Sequence, residues 1–419
     1  MCAIAFLPAA ARAQAPDPQT AQPPQQPVTN QQPVINKEVP PNEPHIVVKW
    51  RDRYDMLKAQ GVAFTAGSIV SGSGVSAGIA LGKPRTVGIW GAVAEARWSL
   101  RGYRQLDGIA GMTGGRRHRT EIRTIDADFT SMFNQGSLLT FGKAAFLHVR
   151  ELRYPRVDYY GPLGAAAAKD GRSDYGLQGG SIDLVGQWQR RHFGASARFG
   201  TLRLHLETPT NDGLPDTRDL YASAGIPGLD AQHHYRTMGA GFVMDFRDLA
   251  ELTESGTFAG VAIWRAIASD TSDASLNWSR LNVDVQHFVP VQKGRQVVAL
   301  RVALSSRIDD NAAPMPFYLQ PTLGGGRTLR GFGSYRLRDE SVWAATAEYR
   351  VRVHRRVELA PFVDAGSAAR RFENFRTTSV DVMPGLGLRI VGGSRIIGRV
   401  DYAHGRDGSR VMFALGTPF

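Results

Sequence analysis

Val411, Phe413, Leu415, Thr417 and Phe419 fall on one face of a strand whose other face carries Arg410, Met412, Ala414, Gly416 and Pro418, and the chain ends there. Successive side chains of a strand point to opposite sides, so this pattern is a strand with one apolar face. The pattern recurs upstream. Ile396, Gly398, Val400 and Tyr402 oppose Arg395, Arg399 and Asp401. Val380, Val382, Leu386, Leu388 and Ile390 oppose Asp381, Gly385, Gly387 and Arg389. Val298, Leu300, Val302 and Leu304 oppose Ala299, Arg301, Ala303 and Ser305, and Leu281, Val283 and Val285 oppose Asn282, Asp284 and Gln286. A chain written this way must hide one face of strand after strand, either in a core or in lipid.

Lipid is the better reading. The alternating runs are about ten residues long, which is what a tilted strand needs to cross a bilayer. Short connections alternate with long ones, such as "RYPRVDYYGPLGAAAAKDGRSDYG" and "ETPTNDGLPDTRDLYASAGIPGLDAQHH". That asymmetry matches periplasmic turns and external loops. Phe419, an aromatic at the very end of an amphipathic strand, has the character of an outer-membrane assembly signal. The start, "MCAIAFLPAAARAQA", is apolar and then small, with Ala11-Arg12-Ala13 fitting a signal peptidase site and cleavage expected after Ala13. No run is long enough for a membrane helix. A membrane-spanning form is then a closed sheet, since lipid tolerates no unpaired backbone. The fold class expected is all-β, a transmembrane antiparallel barrel of about sixteen strands, an even number as closure requires.

The organisation along the chain follows. Residues 1–13 are a signal-peptide remnant, and 14–43 are a Pro/Gln-rich linker that cannot bury a core. Residues 44–60 are a lead-in, either a short helix or a plug-like segment, and 61–419 are the barrel. The net charge of +12 is spread along the chain instead of gathered in a patch, so no nucleic-acid partner is expected. Cys2 is the only cysteine, which leaves a processed chain with no disulfide or thiolate site. His233 and His234 are adjacent and point apart on a strand. Ser196, His148, His192 and His287 fall in no catalytic spacing. Neither cofactor, metal nor enzymatic activity is expected.

"LGGGRTLRGFGSYRLRDE" (residues 323–340) holds five glycines and four arginines. A phosphate cradle fails here, because a P-loop needs lysine and then serine or threonine after its glycine. Gly331 is instead followed by Phe332 and Gly326 by Arg327. The stretch resembles the sixth external loop of the bacterial surface antigen family, the outer-membrane assembly factors with BamA-like and TamA-like barrels. The family's arginine-glycine-aromatic tip is matched by Arg330, Gly331 and Phe332. "AATAEYRV" with Glu348, "PFVDAG" with Asp364 and "DFRDLAELTESGTF" (Asp245 to Phe258) match further elements, as do "DYYGPLG" and "RSDYG". The resemblance covers residues 155–419 and implies a sixteen-strand barrel with five strands after the loop.

It also implies a role in inserting or translocating protein, or lipid, at the outer membrane, through a seam between first and last strands. The implied partners are outer-membrane lipid, the barrel-assembly machinery during biogenesis, and unfolded outer-membrane proteins or a second copy of the chain. A passive channel or structural barrel is the alternative. Residues 14–60 are too few for the polypeptide-transport-associated (POTRA) domain that assembly factors carry, so a barrel-only form is expected. Alternation puts Trp343, Ala345, Ala347, Tyr349 and Val351 toward lipid, with Thr346, Glu348, Arg350 and Arg352 toward the lumen. Val357, Leu359 and Val363 likewise face lipid, leaving Glu358 and Asp364 inside. Arg330 is therefore expected to fork between Glu348 and Asp364. A wet lumen would make that fork cheap to break.

Overall fold

The computed structural model describes residues 61–416 except 68, 71, 83–89, 115–141, 163, 211–212, 250–251, 311–312 and 393–394. The signal, linker and lead-in segments and Phe419 lie outside these residues. Strands β1 (Val62–Gly67), β2 (Ser76–Gly82), β3 (Trp90–Ser99) and β4 (Arg104–Gly114) begin an up-and-down meander. It continues through β5 (Gly142–Tyr159), β6 (Ser173–Arg190), β7 (Phe193–Glu207) and β8 (Tyr235–Asp245). Then come β9 (Gly256–Ala268), β10 (Trp278–Gln292) and β11 (Gln296–Arg307). A long connection follows, pinched by a two-residue ladder of β12 (Thr322–Leu323) and β13 (Leu337–Arg338). Five strands close the chain: β14 (Ser341–His354), β15 (Val357–Ala369), β16 (Asp381–Gly392), β17 (Arg395–Gly405) and β18 (Gly408–Leu415).

Apart from β12 and β13, all lie in one sixteen-stranded antiparallel sheet in chain order, with β11 paired to β14 across the long connection. The sheet is a transmembrane barrel, and its two faces show why. Leu147, Leu184, Phe199, Ile263, Leu300, Leu386, Leu388 and Ile390 are exposed, while Asp107, Arg150, Asp183, Asp284, Arg301, Glu348 and Arg389 are buried. Apolar side chains outside and charges inside suit only an apolar solvent. No helix among the described residues is long and apolar enough to cross a membrane.

Two expectations need correction. Residues 153–159 are not loop: β5 runs to Tyr159 and β6 starts at Ser173, with a bulge between Tyr154 and Val157. Tyr154, Val157, Tyr159, Tyr175 and Leu177 turn inward onto a buried apolar cluster, which rewards carrying the wall upward. Ile396 does not share the lipid face of Gly398, Val400 and Tyr402. A register shift pairs Val391 with Ile396 but Ile390 with Gly398, so Ile397 is the extra, exposed residue. A bulge inverts the alternation on one side of itself. Ile396 consequently packs inside, against Val391 and Leu252.

The interior is filled at three levels. At the end with the long connections, Phe317, Tyr318, Leu319 and Tyr335 from the β11–β14 connection meet wall residues Tyr159, Tyr175, Leu202 and Trp278. Below them lies the glycine-rich tip of the same connection. At the other end the β8–β9 connection folds inward and brings Leu252 against β16 and β17. Contacts such as Lys169 Nζ to the Asp407 carbonyl (3.1 Å) join connections far apart in the strand order, as a rolled sheet requires.

Candidate functional site: the inward-folded loop

The β11–β14 connection enters the barrel because it carries the hydrogen-bonding groups to do so. Arg330 donates from Nε to Asp364 Oδ2 (2.8 Å) and from Nη2 to Oδ1 (2.7 Å), a two-pronged pairing that suits a planar guanidinium. Its Nη1 donates to Glu348 Oε2 at 3.0 Å, and its backbone N–H also reaches Asp364 Oδ2 (3.1 Å). The guanidinium carbon lies 3.2 Å from the centre of the Phe362 ring. Thr346 donates its hydroxyl to Asp364 Oδ1 (2.9 Å), orienting the carboxylate. Thr346 and Asp364 are direct cross-strand partners of β14 and β15, and Glu348 sits opposite Phe362, so the wall presents both acids at one height.

The glycines answer to geometry. Gly324 has φ 118°, and a Cβ there would lie 2.1 Å from the Gly333 carbonyl oxygen. A Cβ on Gly331 would sit 2.8 Å from Met383 Sδ of β16, so a larger residue there would require the Met383 side chain to shift. Phe332 is fully buried among Leu323, Leu329, Leu337 and Met383.

Under that apolar cap the fork is buried. Arg330 is 2% exposed, Glu348 2% and Asp364 0%. Burial works against the charge of the Arg330 guanidinium, but Asp364, then Glu348 and Asp401, outweigh it and raise its pKa. Removing one member of such a buried network leaves an uncompensated charge, at a cost of about 3–5 kcal/mol.

The network is also wider than three residues. Arg389 of β16 pairs with Glu348, and Arg399 of β17 with Asp401. Asp401 Oδ1 lies 3.7 Å from Arg330 Nη1, and Arg399 holds the Gly326 carbonyl. Three arginines thus face three acids, and the loop supplies only one of the six. The signal for Asp401, Arg389 and Arg399 was their inward parity on β16 and β17. Nothing in the sequence said that Arg330 would reach past β15. Further anchors hold the loop's flanks: Arg336 pairs with Asp407 (2.5 Å), Arg307 with Glu340 (3.0 Å), and Arg301 donates to the Arg327 carbonyl (2.9 Å).

The second motif, at Asp245, Arg247 and Asp248, shapes the connection that closes the opposite mouth. Arg247 donates from Nε and Nη2 to the two oxygens of Asp245 (2.9 and 2.7 Å) and lies over Phe258. Asp248 accepts from the backbone N–H groups of Glu254 (3.0 Å) and Ser255 (3.2 Å). The histidines serve separate contacts: His148 with Asp107 (3.2 Å), His192 with the Asp245 carbonyl (2.8 Å), His287 with Thr257 (2.8 Å).

The sequence profile of the Omp85 superfamily domain matches residues 183–404. Among solved structures, the chain is similar to BamA from Haemophilus ducreyi lacking POTRA domains 1–3. The identity is 14% and the TM-score 0.57, over 85% of this chain and 70% of that one. It is also similar to CdiB from Escherichia coli, at 10% identity and a TM-score of 0.50, over 85% of this chain and 63% of that one. The chain therefore spans less than two thirds of CdiB, and at these identities the likeness is one of fold. No curated protein matches the sequence.

Proposed function

The chain belongs to the Omp85 superfamily of outer-membrane barrels, and from that premise we propose that it inserts or translocates unfolded protein at the outer membrane. The substrate's route is the edge between β1 and β18. One observation carries this reading: the ends of the strand order are weak where the middle is strong. Among the described residues, β1, β2 and β18 span 6, 7 and 8 residues, against 18 each for β5 and β6. Fewer ladder bonds make an edge easier to open, and an open edge is a template for a strand of another chain. The filled interior favours the same route, since the loop, the apolar cluster and the β8–β9 connection occupy the path a channel would need. The Arg330 network then acts as a brace, holding β14 to β17 rigid while the far edge gives way. The role needs no catalytic group and no cofactor. Its partners are membrane lipid and unfolded barrel proteins.

The test is reconstitution into lipid vesicles with a urea-denatured barrel substrate, followed by the heat-modifiable gel mobility of folded barrels. Faster substrate folding than in protein-free vesicles is expected, with only small conductance across a planar bilayer. Steady large conductance with no effect on substrate folding would instead establish the passive channel.

A further inference from the structure

A cavity of about 110 Å³ lies inside the barrel, between the wall strands β5 to β9 and the β11–β14 connection. One side is aliphatic, formed by Leu152, Leu177, Leu202 and Leu204. The other is polar and cationic, with Arg150, Arg198 and Arg338 lining it. Two of these arginines are neutralised: Arg150 donates to Asp107 (2.7 Å) and Arg198 pairs with Asp183.

Arg338 is different. It is 6% exposed, yet among the described residues no carboxylate lies within ion-pair distance. Its Nη1 donates to the Tyr175 hydroxyl and the Phe317 carbonyl, both at 2.8 Å. The guanidinium sits 5.5–5.9 Å from the ring centres of Tyr175, Tyr159, Phe317 and Tyr335. Its Nε, with Arg150 Nη2 and Thr237 Oγ1 around the same cavity, has no hydrogen-bond partner among the described residues. A buried cation held only by neutral groups is costly. The spare donors beside the aliphatic wall suit an anionic head with a hydrocarbon tail, while Asp183, with one unpartnered oxygen, lines the Arg198 side of the same cavity.

We propose that this cavity is a binding site for a small amphipathic anion, its carboxylate against Arg338 and its hydrocarbon chain against Leu152, Leu177, Leu202 and Leu204. None of its lining residues belongs to the Arg330 network, to β1 or to β18. The arrangement selects head and tail together. A cationic head of equal length would meet Arg338 as a like charge, and a short anion without a tail would leave the leucines uncovered.

The test uses the whole protein in lipid nanodiscs, titrated with octanoate labelled with carbon-13 at the carboxyl, with protein-free nanodiscs measuring partition into lipid. Saturable binding to one site is expected, shared neither by acetate nor by octylammonium. Arg338→Gln removes a charge-assisted bond and should weaken binding by about tenfold or more. Leu204→Trp, which fills the aliphatic side and leaves Arg338 in place, should abolish it. Heat-modifiable mobility reports that each variant is folded, and if Arg338→Gln does not fold, Leu204→Trp decides. Uptake equal to that of protein-free nanodiscs, equal binding by octylammonium, or undiminished binding in the folded variants would overturn the proposal.

Discussion

Arg330 is the residue on which the loop's position turns, because it is the only loop side chain among six charges that otherwise belong to the wall. Arg330→Ala leaves Asp364 and Glu348 buried with less compensation. A loss of about 3–5 kcal/mol, read by urea unfolding in vesicles, is expected with the barrel still formed. Arg330→Lys should recover little of it, since an ammonium cannot meet both oxygens of Asp364 and still reach Glu348. Glu348→Gln should be non-additive with Arg330→Ala, as expected for groups in one network. Asp339, next to the Arg307 partner Glu340, gives a pH signature. Burial raises its carboxyl to about 6, offset in part by the Glu340 N–H and reinforced by the Glu340 charge. The folded state then binds a proton that the unfolded state releases near 3.8, so this residue's contribution falls as pH rises from about 4 to about 6. Asp339→Asn should flatten that part of the stability profile measured by unfolding at several pH values. An unchanged profile would show that Asp339 does not titrate there.

At the level of the strand, the alternation that identifies the barrel is a local property and could be read directly. Leu386, Leu388 and Ile390 face out and Arg389 faces in because a strand leaves no other choice. What could not be read is where the alternation breaks. Ile396 and Ile397 are the same residue type, and which one turns inward depends on a bulge set by the pairing of β16 with β17. The upward extension of β5 and β6 was hidden for a similar reason. Their inward residues are tyrosines and leucines that answer to a cluster supplied partly by Phe317 and Leu319 of a distant connection. Arg330, Glu348 and Asp364 were legible because each sits in a recognisable stretch. Asp401, Arg389 and Arg399 were legible only as inward charges, their partners being fixed by how deep the loop sinks. Outward positions carry their own prediction. Leu386→Arg, halfway along β16, should cost about 2–4 kcal/mol in vesicles. Glu373→Arg in the exposed β15–β16 connection should stay within about 0.5 kcal/mol. Equal costs would place that face of β16 outside lipid.

Across the whole molecule, rigidity and weakness are segregated. Strands β14 to β17, the loop and the Arg330 network are joined by one set of ion pairs, and the interior is filled from both mouths. Among the described residues, the strands with least pairing lie at the two ends of the sheet. On the function proposed above, a chain handled by such a barrel has its path at the edge, on the lipid side of the wall and not through the lumen. Site-specific photo-crosslinking tests this most directly. A photo-reactive residue is placed at Phe64 of β1, at Phe413 of β18, or at Leu300 of β11, all exposed to lipid. Each form is then supplied with a denatured barrel substrate in vesicles. Adducts at Phe64 and Phe413 that disappear once the substrate has folded, with none at Leu300, are expected. Adducts equally frequent at all three positions, or none at Phe64 and Phe413, would contradict substrate entry at the β1–β18 edge.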